Sequence, residues 1–161
     1  MNTNMVLLFA LGIGIVAGLR TMTAPAVVAW ATHLAWLDLW GSYFAFMGSK
    51  WAVILFTIAA LGEFVVDQLP KTPARTTAGP LAARIVMGAL TGACLAVSGR
   101  APLMVGAVLG AVGAVIGALA GYKARVGLVR RLNVPDFAIA IPEDLVAIGM
   151  ALLMVRAQLN H

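Results

Sequence analysis

The sequence predicts an all-α fold, a polytopic membrane helix bundle of five spans, or six if the first is divided. Three observations predict it. Mean hydropathy is +0.99 and 62% of the residues are apolar. Only 11% of the 161 residues are charged, against about a quarter in ordinary soluble domains. Apolar runs of near-membrane length alternate with short polar turns that carry proline. A chain of this length makes one integral membrane domain over residues 1–161, with no room for a second.

The first span is the most informative. Met5–Leu19 is apolar, then Arg20, Thr21, Thr23 and Pro25 intervene, and the apolar pattern resumes from Ala26 to Leu37. A helix over Met5–Leu19 reaches roughly 22 Å, short of the ~30 Å hydrocarbon core. Arg20 then lies below the far interface, where a cation must be paired or wetted. Gly18 and Pro25 flank it and loosen a helix ladder. This reads as a membrane helix broken at a polar site, which lipid tolerates only where protein or a cavity covers the break. The alternative is a shorter helix whose arginine snorkels to the interface. As a binding site, Arg20 would neutralise an anionic group, while Thr21 and Thr23 donate hydroxyl bonds and Gly18 and the freed backbone contribute more.

Aromatic residues follow at Trp30, Trp36, Trp40 and Tyr43, as in a belt where a chain leaves the bilayer, and His33 reads as an interfacial histidine. Span two, Trp51–Leu69, ends in GEFVVDQLP. Glu63 and Asp67 are four apart and share a helix face. Either could carry a proton for coupling or enter an ion pair, Glu63 with Arg20, while Asp67 is close enough to the helix end to reach the interface. Span three, Leu81–Val97, has Arg84 near its start and the small-residue spacing Gly88-x-x-x-Gly92.

Span four, Leu103–Tyr122, carries Gly106, Gly110, Gly113 and Gly117 at intervals of three or four. Such a strip lets backbones approach closely, within the chain or between two copies in a homo-oligomer. The basic stretch Tyr122–Ile141 reads in part as an amphipathic helix on the membrane surface. Span five starts at Pro142, where Glu143 and Asp144 suit the positive end of the helix dipole and need no functional role.

Lys71, Arg75, Arg84, Lys123, Arg125, Arg130 and Arg131 flank the turns after spans two and four, against Arg20, Lys50, Arg100 and Arg156 elsewhere. The excess places loops 70–84 and 121–141 in the cytoplasm. With five crossings the N-terminus is inside and the C-terminus outside. A separate crossing by Pro25–Leu37 changes the termini but not the two basic loops. Ile13–Arg20 (IGIVAGLR) and Ile116–Lys123 (IGALAGYK) match at Ile, Gly, Ala, Gly and a basic residue. In a five-span plan they point in opposite directions, as in the inverted repeats of secondary transporters.

Several function classes are disfavoured. The net charge of +5 sits in loops between apolar runs, which suits lipid headgroups better than nucleic acid. Cys94 is the single cysteine and His33 and His161 the two histidines, so neither a metal site nor a cofactor is expected. The opening MNTNM has no basic n-region and is taken as the start of span one. An enzyme is the least favoured class, since neither a nucleophile–histidine arrangement nor a paired-aspartate metal motif is seen, and no catalytic residue is assigned.

The segments AGLRTMTAP, GEFVVDQLPKTPART and LAARIVMGALTGA resemble small bacterial membrane proteins of domain-of-unknown-function family 4126. The resemblance covers most of the chain and rests most specifically on G-L-R-T and E-x-x-x-D-x-x-P. It implies a bacterial inner-membrane protein, with Gly18, Arg20, Thr21, Glu63, Asp67 and Pro70 at the family's polar positions, and it implies no activity. The function expected is therefore a small transporter, channel or lipid-translocating protein for an anionic molecule or lipid. The competing expectation is a scaffold or accessory subunit.

Overall fold

The computed structural model describes residues 2–66, 77–132 and 136–159, and among these the regular structure is entirely helical. The elements are α1 (Thr3–Leu19), α2 (Thr23–His33), a 3-10 turn at Ala45–Gly48, α3 (Lys50–Val66), α4 (Ala78–Ser98), α5 (Leu103–Leu132) and α6 (Asp136–Leu159). Among the described residues, two helices are long and apolar enough to cross a membrane: α4 and residues 103–129 of α5. α1 is apolar but shorter.

Small residues set the packing. A Cβ on Gly14 would lie 2.1 Å from the carbonyl oxygen of Gly110, and one on Gly18 would lie 2.3 Å from that of Ala114. Both contacts advance by four residues together, so α1 and α5 run parallel. Gly88 faces Gly110 and Gly92 faces Gly106, so α4 runs antiparallel to α5. The strip Gly106, Gly110, Gly113 and Gly117 is thus engaged within the chain, by α1 and α4. The opposite face of α5 exposes Met104, Val108, Val112, Ile116 and Leu119. Both faces of α5 are apolar and differ in bulk: glycine inward for close approach, branched chains outward, as suits lipid rather than water.

The chain does not continue through the polar break; it turns back there. After α2, the backbone N–H of Asp38 donates to Ser98 Oγ at 3.0 Å, and the neighbouring Gly99 packs on Val6 near the start of α1. α1 and α2 therefore form a hairpin with Arg20–Met22 at its tip. α3 then rises along α2, with Trp30 bonded to Thr57 and Thr21 to Glu63. α4 descends, α5 rises and α6 descends, ending where Gln158 reaches the carbonyl of Leu95.

Four sequence expectations are corrected by this path. The extra reversal at Arg20 makes the two IGxxAGxx copies parallel rather than opposed, and the second copy lies inside the unbroken α5. Residues 122–132 continue α5 instead of forming a separate surface helix. α6 begins at Asp136 and holds Pro142 in its interior, whereas the sequence places the helix start at that proline. Arg84 lies near the start of α4, as expected for span three, but it is buried and does not belong to the basic loop 70–84 with which it was counted.

Candidate functional site

The site forms where the tip of the α1–α2 hairpin meets α3, α4 and α6. α1 ends because Arg20 leaves helical geometry, at φ −139° and ψ 112°, while its N–H still donates to Val16 O at 2.7 Å. Gly18 does not cause the break: it lies within α1 and serves the contact with α5. Pro25 sits in the first turn of α2, where its missing N–H costs nothing.

Such a turn leaves two cut helix ends inside the protein. The last carbonyls of α1 are the negative end of one dipole, and the first N–H groups of α2 are the positive end of another. Each end receives an opposite charge. Arg84 Nη1 donates to the carbonyls of Gly18 at 2.9 Å and Leu19 at 3.2 Å. Glu63 accepts from the backbone N–H groups of Thr21 and Met22, each at 2.8 Å. Arg84 Nη2 lies 4.0 Å from Glu63 Oε1, so the two caps also attract one another.

Arg20 points away from these caps. Its Nε donates to Asp144 Oδ1 of α6 in an ion pair, and its guanidinium carbon stands 4.7 Å from the centroid of the Phe64 ring. Only 1% of Arg20 is exposed, so it does not snorkel. Next along α6, Glu143 Oε2 lies 3.9 Å from Arg125 Nη1 of α5. Among the described residues, three arginines (20, 84 and 125) therefore face three carboxylates (63, 143 and 144), with equal and opposite formal charge.

The sequence-derived site is brought together only in part. Arg20, Thr21, Gly18 and Glu63 converge, but the expected Arg20–Glu63 pair is not formed: Arg20 takes Asp144, and Glu63 takes the α2 terminus. Thr21 contributes its backbone N–H. Thr23 opens α2, buried, and lines an apolar groove between α2 and α3. Asp67 lies outside the described residues. Asp144 and Arg84 were missed. Asp144 is 8% exposed and sits two residues past an interior proline, and that Pro–acid pairing in an apolar helix was the available signal.

These features define an all-helical protein with apolar helices of membrane length and a charged cluster built around a helix reversal. The chain belongs to the domain of unknown function family DUF4126, whose sequence profile matches residues 7–159. No curated protein and no solved structure matches the chain.

Proposed function

We propose that this chain is a multi-pass membrane protein that translocates an anionic molecule or the anionic headgroup of a lipid, and that the charged cluster is its resting state. With six alternating helices, Thr3 and Leu159 lie at one end of the bundle, and the ends of α3 and α5 lie at the other. The basic residues at that second end, Lys123 and Arg125 among them, would face the cytoplasm, in an inner membrane if the protein is bacterial. From Leu103 to Lys123, α5 supplies about 30 Å of apolar length, enough for the hydrocarbon core. Gly18, two residues before Arg20, packs on α5 at Ala114–Ala118, so the break would lie roughly 8–10 Å inside a boundary at Lys123.

The observation that carries the reading is the buried Arg20–Asp144 pair at the tip of the hairpin. A bundle needing only stability does as well or better with apolar side chains there, because desolvating two charges offsets much of their attraction. It would also keep α1 whole. Ionisable groups at this depth usually serve a ligand or a conformational change. In the proposed cycle an anion competes with Asp144 for Arg20. Glu63 and Arg84 hold the cut helix ends meanwhile, so the break survives the exchange of partners.

Charge balance supports a second reading, a scaffold in which the cluster only locks the fold. The charge-swapped variant Arg20→Asp with Asp144→Arg separates them. Reconstituted into vesicles, it should fold and yet fail to move anions or labelled anionic lipid if translocation is correct. Movement at the parental rate would remove Arg20 from the mechanism and leave the scaffold.

A further inference from the structure

Beside the cluster, α2 and α3 form an outward-facing groove of about 180 Å³, lined also by Ile148 of α6. Its walls include Thr23, Trp30, Thr57, Ala60 and Phe64. The polar atoms of its lower part satisfy each other, since Trp30 Nε1 donates to Thr57 Oγ1 at 3.0 Å. The groove starts at the hairpin tip and follows α2 for seven residues, about 10 Å, away from the charged end. Leu61, also on its wall, is 59% exposed.

We propose that this groove holds the hydrocarbon chain of an anionic bilayer lipid, so that the group handled at the break is a lipid headgroup and not a water-soluble anion. The inference rests on the translocation reading and narrows its substrate. Phe64 links the two regions: its ring lines the groove and also carries the Arg20 guanidinium. A chain seated in the groove would place its headgroup at the hairpin tip, on the side of Arg20, whose guanidinium the Phe64 ring joins to the groove. A soluble anion gains nothing from apolar walls, whereas an acyl chain approaching from the bilayer does. The polarity also fits, with charge at the end nearer the basic turns and hydrocarbon deeper.

The test uses the full chain in phosphatidylcholine vesicles, with Trp36, Trp40 and Trp51 changed to Phe so that Trp30 reports alone. Chain-brominated phosphatidylglycerol and chain-brominated phosphatidylcholine are compared as quenchers. One basic side chain near an anionic lipid contributes about 1 kcal/mol, so Trp30 should favour the anionic quencher about fivefold. Filling the groove with Ala60→Phe, or with Val27→Phe from the opposite wall, should abolish that preference. Equal quenching by both lipids overturns the proposal, as does a preference that survives both substitutions. A change in oligomeric state without a change in lipid preference also overturns it, since the occupant is then a second copy. If neither filled variant folds, a phosphatidylglycerol carrying a photoreactive group in its chain decides on the unfilled protein. Labelling of α2 and α3 above that by the phosphatidylcholine analogue supports the site, and equal labelling overturns it. Flux of a soluble anion without lipid preference keeps translocation and removes the lipid. Lipid preference without lipid movement keeps the site and removes translocation.

Discussion

Replacing Asp144 by Asn tests the central contact. The substitution keeps the shape of the side chain and deletes its charge, leaving a guanidinium that is 1% exposed. Breaking a buried pair from one side costs about 3–5 kcal/mol. The Phe64 ring retains part of the attraction, about 1 kcal/mol for a half-buried cation–π contact, which points to the lower end of that range. A loss of about 3 kcal/mol lowers the folded-to-unfolded ratio roughly a hundredfold. Reversible denaturant unfolding in mild detergent measures it. The double variant Arg20→Met with Asp144→Leu removes both charges and should recover stability to within about 1 kcal/mol of the parent, because an apolar replacement avoids the desolvation cost. The same double variant should have no translocation activity. A loss below about 1 kcal/mol for Asp144→Asn would show that the pair is not buried as described, and the argument from its cost would fail.

Four further outcomes follow from the geometry. Glu63→Ala removes two charge-assisted bonds to the start of α2 and should cost about 3 kcal/mol, with faster amide exchange at Thr21 and Met22 in hydrogen-exchange mass spectrometry. Arg84→Lys keeps the charge but loses the fork that reaches Gly18, Leu19 and Glu63 together, so it should destabilise nearly as much as Arg84→Gln in the same unfolding assay. Gly110→Val drives a side chain into the Gly88 carbonyl, 2.1 Å from the ideal Cβ, and should cost at least the ~1–3 kcal/mol of overpacking, whereas Gly127→Ala meets open space inside α5 and should raise the melting point slightly, through about 0.5–1 kcal/mol of helix propensity. Reporter fusions at the two termini should report the same side of the membrane, and a reporter between α5 and α6 the opposite one; termini on opposite sides would contradict the hairpin.

The helices were largely legible because lipid-compatible runs and glycine spacing are local signals. Gly88-x-x-x-Gly92 and the strip from Gly106 to Gly117 announce close packing, and both are used for it. Direction was not legible. Whether a chain passes through a break or turns back depends on what receives its freed backbone groups, and here those partners come from α3 and α4, more than 40 and 60 residues away. The sequence left open whether Pro25–Leu37 crosses separately; on the five-span alternative the parity of every later helix is reversed, which is why the IGxxAGxx copies were expected to oppose one another. Arg20 stood out because a cation interrupting an apolar run is conspicuous anywhere. Asp144 did not, because an acid just after a proline has an ordinary local explanation as a helix start. Continuation of α6 back to Asp136 removes that explanation: an interior residue does not cap a helix, and its carboxylate needs a partner.

The arrangement of charges also explains why the reversal is stable in an apolar setting. A turn made of Arg20, Thr21 and Met22 exposes backbone groups that lipid cannot satisfy, at several kcal/mol each if left alone. Glu63 and Arg84 answer these needs from separate helices, one at each cut end, and are close enough to neutralise each other. None of the bonds described at the two cut ends comes from the Arg20 side chain, which reaches Asp144 of α6. The caps therefore suffice to maintain the hairpin, and the Arg20–Asp144 pair is an addition to it. That division yields a discriminating expectation. Substitutions at Glu63 or Arg84 should raise amide exchange throughout the start of α2, whereas the neutral Arg20→Met, Asp144→Leu variant should leave exchange there at the parental level. Equal opening of α2 in both cases would make the four residues a single structural unit, and the cluster would then be fully accounted for by folding.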